Sequence, residues 1–195
     1  MSEILFATSN PNKTLEVKKI LGAKFLIRDL NDIQLDKELE ENEPTLEGNA
    51  ISKARQAIQY TDFDSCFAED TGLEIEALGG APGIYSARFA GEDKSSEKNI
   101  DKVLHLLKNV ANRAARFRTV VAHIDHSEVR VFEGMVNGTI AHSRLGISGF
   151  GYDPVFIPDG YSESFAQLPL EVKNEISHRA KAFEKFLDWI NSTRD

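Results

Sequence analysis

Ser148-Gly149-Phe150-Gly151-Tyr152-Asp153-Pro154 sets two aromatic rings and a carboxylate among glycines, and Ser177-His178-Arg179 follows at a predicted helix start. Phe150 and Tyr152 could stack on a flat ring, which is worth ~1–3 kcal/mol per base. Lys173, His178 and Arg179 add donors. Cations in the first turn of a helix oppose its dipole, so His178 and Arg179 there call for an acceptor such as a ligand. At the front of the chain stands Thr8-Ser9-Asn10-Pro11-Asn12-Lys13. Backbone N–H groups at a helix start attract phosphate oxygens, and hydroxyl, amide and ammonium side chains add to the pull. A plainly capped helix with a solvated lysine is the alternative reading of that segment. Taken together, the two segments point to a nucleotide.

Two acidic groups could serve its phosphates. Glu38, Glu40, Glu41 and Glu43, with Glu47 behind them, form either a solvated acidic loop or part of a Mg²⁺ site. Mg²⁺ takes one or two protein carboxylates and fills its octahedron with waters and phosphate oxygens. A second carboxylate could come from Glu69-Asp70-Thr71-Gly72, placed at a predicted strand end. Adjacent strand residues point to opposite faces, so only one of Glu69 and Asp70 should face a ligand; we take Asp70. A carboxylate there could bind the ion or deprotonate a water, although an Asp-capped turn would look the same. Asn49, Lys53 and Gln56 form a polar stripe at i, i+4 and i+7 of a predicted helix. Such a stripe meets water unless the helix lines a cleft, in which case Lys53 becomes a phosphate contact.

Other chemistries are disfavoured. With 23 basic against 31 acidic residues the net charge is −8, which argues against a nucleic-acid polymer as partner. There is no G-x-x-x-x-G-K-[ST] loop and no H-E-x-x-H, and Gly149-x-Gly151 runs into Asp153-Pro154 rather than into a dinucleotide-binding helix. No G-x-S-x-G elbow occurs. The single cysteine, Cys66, lies in an apolar run and reads as a small buried hydrophobe. No apolar run approaches the ~20 residues of a membrane span, and a cytoplasmic location is expected.

The elements that must position these groups alternate between helix and strand. Ile4–Ala7 reads as a buried strand, followed by a helix with Asn10 as N-cap, Pro11 at its first position and a stop near Gly22. Lys24–Arg28 is a second strand, and 29–44 is irregular. A helix is predicted from Leu46 to Tyr60, a strand over Ser65–Ala68, and a separate half-buried strand through Leu73, Ile75 and Ala77. Glu97–Val110 is helical. Ala115–Ile124 and Glu128–Val136 are strands joined through Asp125-His126-Ser127, so that His123 and His126 straddle a hairpin turn. Thr139–Ser143 extends this β region, and Val155–Ile157 is a short strand. Phe183, Phe186, Leu187 and Ile190 repeat at helical spacing. The order is mixed α/β in one domain.

The chain resembles the inosine triphosphate pyrophosphatases, also known as XTP/dITP diphosphatases, nearly end to end. The shared residues are Thr8-Ser9-Asn10-x-x-Lys13, Asn49-Ala50-x-x-Lys53-Ala54, Glu69-Asp70-Thr71-Gly72-Leu73, Leu78-Gly79-Gly80-Ala81-Pro82-Gly83-Ile84-Tyr85-Ser86-Ala87-Arg88, Gly149–Pro154 and Ser177-His178-Arg179. The resemblance implies a homodimer of elongated α/β subunits, each with two lobes around a long mixed sheet and a central cleft. It implies Mg²⁺-dependent hydrolysis of ITP, dITP or XTP to the monophosphate and pyrophosphate, cleansing the nucleotide pool. It puts Thr8, Ser9, Asn10, Pro11, Asn12, Lys13 and Lys53 on the phosphates, with Thr71 nearby. Asp70 becomes proton acceptor and metal partner, and Glu40 or Glu41 the other metal carboxylate, with Glu43 still open because segment 42–50 departs from the usual family pattern. Phe150, Gly151, Tyr152, Asp153, Lys173, His178 and Arg179 would hold the base. Donors from His178 and Arg179 aimed at a 6-oxo group would reject a 6-amino group, since a hydrogen-bond mismatch can discriminate by ~10⁴–10⁵-fold. A pyrophosphatase for other nucleotides and a non-catalytic nucleotide sensor are the alternatives.

Overall fold

The computed structural model describes residues 2–125 and 128–192. Seven strands form a mixed sheet of order β2-β1-β3-β5-β6-β7, with β4 paired to β3. The strands are β1 (Ser2–Phe6), β2 (Phe25–Asp29), β3 (Ser65–Ile75), β4 (Pro82–Gly83), β5 (Ala114–Asp125), β6 (Glu128–Ile140) and β7 (Phe156–Pro158). The helices are α1 (Pro11–Leu21), α2 (Leu46–Gln59), α3 (Ser96–Leu106), α4 (Leu170–Ile176) and α5 (His178–Ser192). The chain divides into two units: Met1–Asp70, Thr119–Gly134 and Arg179–Asp195 form the first, and Thr71–Arg118 with Met135–His178 the second.

In the first unit, β1 runs parallel to both β2 and β3, with Phe6 opposite Phe67. β3 and the Ile4–Phe6 part of β1 are buried on both faces, as parallel strands usually are, while β2 alternates buried and exposed residues. Ile4, Phe6 and Phe67 pack with Val17 and Leu21 of α1 and Phe183 and Phe186 of α5. The alternate residues Leu5, Ala7, Cys66 and Ala68 pack with Ala54 and Ala57 of α2. Alanines of α2 pack on one face of the strands, and phenylalanines fill the layer on the other. The alternation continues into the polar residues. Glu69 follows Phe67 toward α1 and α5, and Asp70 follows Ala68 toward α2. Asn10 caps α1 by accepting from the N–H groups of Asn12 and Lys13, and Gly22 ends that helix at a positive φ of 61°. Both termini agree with the sequence expectation.

The second unit has its own core, in which Leu73 and Ile75 meet Ile100 and Val103 of α3, Phe117 of β5 and Phe156 of β7. Two differences from the expected elements matter. The strand expected over Ser65–Ala68 is continuous to Ile75, so Glu69 and Asp70 lie in mid-strand. Gly72 permits this: a Cβ there would stand 2.7 Å from the carbonyl oxygen of Gly83 on β4. α4, which carries Lys173, was not expected at all, because seven residues behind Pro169 are too short to display a helical period. β6 also runs past Val136 to Ile140, whose carbonyl is held by the buried Arg113 side chain together with those of Leu107 and Ala141. The expected turn residues His126 and Ser127 lie outside the described residues.

Candidate active site

The first unit contains a buried network of cations and carboxylates built on β3. Lys53 of α2 is 6% exposed. Its ammonium donates to Oε1 of Glu41 at 2.5 Å and to the backbone carbonyl of Glu69 at 2.7 Å, and stands 3.7 Å from Oδ1 of Asp70. Asn49, one turn earlier on the same helix face, donates from Nδ2 to Oδ2 of Asp70 at 3.0 Å. Asp70 is 7% exposed. Burial pushes its carboxyl up, Lys53 pulls it back, and the Glu41 charge adds to the rise, leaving its proton affinity above that of an ordinary aspartate. A carboxylate so tuned is suited to take a proton.

Glu69 belongs to a second cluster on the opposite face. Arg179 grips both its oxygens through Nε and Nη2, at 2.7–3.1 Å, and reaches Glu16 of α1 through Nη1 at 2.5 Å. The Lys13 ammonium stands 3.2 Å from Oε1 of Glu69 and keeps 18% of its side chain exposed. Burial alone would push the Glu69 carboxyl up. The Arg179 and Lys13 charges outweigh it and hold the group well below the usual carboxylate range.

Lys13 sits in the first turn of α1, directly behind the loop from Thr8 to Asn12. Ser9, Pro11 and Asn12 are exposed, and Thr8 and Asn10 half-buried. The loop is internally braced: Oγ1 of Thr8 accepts from the N–H of Asn10, and the Ser9 carbonyl accepts from Nδ2 of Asn31. The parallel pairing of β1 with β3 puts this loop at the strand end next to the chain leading to Glu69 and Asp70. An exposed helix N-terminus with a lysine held at its lip can take a phosphate.

In the second unit the loop at 149–153 is organised from below. Oδ2 of Asp153 accepts from the Phe150 N–H at 2.8 Å and from the Lys173 ammonium at 2.6 Å. Gly149, at φ +76°, is required: a Cβ there would meet Oδ2 of Asp153 at 2.2 Å. Gly151 is also left-handed, at φ +61°. Phe150 is half-buried, and the Lys173 ammonium stands 5.0 Å from its ring centroid. Tyr152 is buried and donates its hydroxyl to the Ser86 carbonyl at 2.9 Å. His178 is buried and stacks on Phe117, with ring centroids 4.5 Å apart.

Several residues are therefore placed differently from the sequence expectation. Arg179, expected to aim donors at a ring oxygen, is 1% exposed and bound to Glu69 and Glu16. The acceptor that its unfavourable first-turn position called for is supplied by the protein itself. Lys53, expected on phosphate, directs its ammonium to Glu41 and Glu69. Tyr152, expected as a stacking ring, is a core residue, and Asp153 and Lys173 pair with each other. Thr71 is half-buried in β3, immediately after Asp70. Of the acids left open, Glu41 comes to Asp70, whereas the exposed Glu40 side chain accepts from Nδ2 of Asn42. Glu43 enters through its backbone, whose N–H donates to Oδ1 of Asn49.

Asn49, Glu69 and Glu16 are the members of the network that residue-level reading left unassigned. Spacing carried a signal for two of them: Asn49 lies four residues before Lys53, and Glu16 three after Lys13, so each pair shares a helix face. The donor set also tests whether Mg²⁺ fits. Among the described residues no group of three or more His, Cys, Asp or Glu side chains stands ready for a metal. Two carboxylates are enough for Mg²⁺, and the pair present, Glu41 and Asp70, is all oxygen, as that hard cation prefers. Lys53 holds the two carboxylates at one point.

An α/β protein with a braced helix-start loop and a carboxylate pair is of the phosphate-handling class. The Ham1 family model matches residues 4–189, and the chain belongs to the Ham1 family. The chain is 46% identical over 191 residues to the "dITP/XTP pyrophosphatase" of Porphyromonas gingivalis, covering 97% of this chain and 98% of that one. It is 42% identical over 192 residues to the protein of the same name from Flavobacterium johnsoniae, covering 98% of this chain and all of the relative. Among solved structures it resembles the Ham1 protein of Staphylococcus aureus, with a TM-score of 0.88, 38% identity, and coverage of 98% of this chain and 100% of that one.

Proposed function

We propose that this protein is a Mg²⁺-dependent pyrophosphatase of unusual purine nucleoside triphosphates, dITP, XTP and ITP, releasing the monophosphate and pyrophosphate. The observation that carries the reading is Asp70: a buried carboxylate oriented by Asn49 and set against Lys53, which also holds Glu41. The names of the full-length relatives support the substrate class. The span of the family match supports treating the whole chain as one catalytic domain.

In this reading the loop Thr8–Asn12 and Lys13 bind the triphosphate. Lys13 is oriented by Glu69, which Arg179 and Glu16 hold in turn. Asp70 takes the proton as a water oxygen bonds to phosphorus; the α–β bridging P–O bond breaks, and pyrophosphate leaves. Glu41 and Asp70 would hold Mg²⁺, which when bound supplies charge neutralisation for the phosphate oxygens. Lys53 keeps these two carboxylates together. Phe150 stacks on the base, with Asp153 and Lys173 setting its loop. This reading assigns Arg179 to the phosphate end of the nucleotide; its pairing with Glu69 and Glu16, beside Lys13, supports that assignment. A homodimer acting on the cytoplasmic nucleotide pool is the setting this reading implies; no described helix is long and apolar enough to cross a membrane.

The test is product analysis with dITP, XTP, dATP and dGTP, with and without Mg²⁺. The expected result is pyrophosphate and monophosphate from dITP and XTP only, and only with the metal. Equal consumption of dATP, or stepwise release of orthophosphate, would overturn the reading.

A further inference from the structure

The segment that carries Glu41 has neither helix nor strand between β2 and α2, so its backbone must find partners elsewhere. It finds them along one face of α2. Gln56 accepts from the Glu40 N–H at 3.0 Å and donates to the Glu40 carbonyl at 3.1 Å, so its amide pairs with a single residue as a neighbouring strand would. Asn49, two turns earlier, accepts from the Glu43 N–H at 2.9 Å. Between them Lys53 takes the side chain of Glu41. Positions 49, 53 and 56 fall on one helix face, and they meet residues 43, 41 and 40 in reverse order.

We propose that Gln56 and Asn49 are positioning residues that lock the register of segment 40–43 on α2, so that Glu41, rather than Glu40 or Glu43, is the carboxylate that works with Asp70. This rests on the reading of Glu41 and Asp70 as the metal pair. A slip of one residue would break the bonds to Glu40 and Glu43 together and bring Glu40 or Asn42, in place of Glu41, toward Lys53. The orientation of the Asn49 amide is fixed by its partners: a backbone N–H demands the oxygen on one side, which leaves the NH₂ for Asp70. One amide thus ties the acidic segment to the carboxylate it must meet. Gln56 touches neither Asp70 nor Glu41 in any of its hydrogen bonds among the described residues, which go to Glu40 and Ser52.

The experiment uses nucleotide-free full-length protein and two readouts. Mn²⁺ affinity is measured by water-proton relaxation, and backbone amide exchange at Glu40 and Glu43 by NMR. Partners that orient metal ligands typically contribute 10–100-fold in metal affinity. Gln56→Ala should weaken Mn²⁺ about 10-fold and speed exchange at Glu40. It should also raise the Mg²⁺ needed for half-maximal turnover while leaving the dITP KM at saturating Mg²⁺ within about twofold. Gln56→Glu keeps the acceptor but puts an oxygen against the Glu40 carbonyl, so it should behave at least as badly. Glu41→Gln should abolish Mn²⁺ binding, and Glu40→Gln and Glu43→Gln should stay within about twofold of wild type. Wild-type affinity and exchange in Gln56→Ala would overturn the register lock, and so would equal damage from all three acid substitutions. Protein that bound no Mn²⁺ would sink the metal reading and the role given to Glu41. That failure is told apart by the exchange rates, which need no metal.

Discussion

The two units each bury charge, but they do so differently. In the second unit Lys173 and Asp153 form a buried pair of one cation and one anion, and Oδ2 of Asp153 also accepts from the Phe150 N–H. In the first unit Lys13, Lys53 and Arg179 face Glu16, Glu41, Glu69 and Asp70, so carboxylates outnumber cations. A balanced pair serves to hold a loop in shape. Burial, with the Glu41 charge adding to it, raises the proton affinity of one member, Asp70, and the acidic surplus favours a further cation. The contrast separates charge used for shape from charge held ready for chemistry.

The sharpest way to break this comparison is Asp70→Asn. If Asp70 is the proton acceptor, turnover should fall by ~10²–10⁴-fold while dITP still binds; near wild-type turnover measured by pyrophosphate release would remove it from the reaction. Next in size is Arg179→Met, which leaves Glu16 and Glu69 buried without their guanidinium. Breaking such a cluster costs about 3–5 kcal/mol, to be read from urea unfolding. A loss below about 1 kcal/mol would show that these charges are solvated and that the network is not a buried one.

Phe150→Ala tests the second unit. If Phe150 stacks on the base as proposed, its loss should weaken dITP binding by ~1–3 kcal/mol, appearing in KM rather than kcat, because the proposed contact is to the base and not to the reacting phosphates. A fall in kcat at constant KM would contradict that division.

The smallest effect concerns acid stability in the first unit. His123 is 4% exposed, hydrogen-bonded to Ser65 at 3.0 Å and flanked by Phe186 and Trp189. Burial lowers its pKa from 6.5 to about 4. The unfolded chain therefore binds this proton more readily, so the contribution is fully present above pH 6.5 and is lost as pH falls toward 4. At pH 5.5 the loss should be about 1.4 kcal/mol, and His123→Leu should remove that pH dependence. Glu69 is held low enough to titrate below this window. Persistence of the loss in His123→Leu, measured by urea unfolding at both pH values, would assign it to the ion network instead.

Much of the frame was legible because its signals are local. Asn10-Pro11 and Gly22 bounded α1, the spacing of Phe183, Phe186 and Ile190 marked α5, and the alanines of α2 marked its buried face. The expected break after Ala68 was wrong because acids and a glycine look like a turn, whereas here the glycine allows β4 to approach a continuing strand. The site residues were read from their types and spacing, and the structure adds the partners each one has within the protein. Arg179, Lys53 and Tyr152 were read as facing a ligand from their types, and all three prove to be occupied within the protein.

The linear order of residues determined which chemistry is available: a capped phosphate-ready helix start, a carboxylate on β3, an acidic segment and an aromatic loop. Those depend on neighbours within a few residues and on strand alternation. Only the tertiary structure decided which acid meets Asp70 and which cations are already paired. Glu41 and Lys53 lie 12 residues apart, and Glu69 and Arg179 lie 110. Pairings of that kind are selected by the cost of leaving a buried charge uncompensated, which no local pattern records.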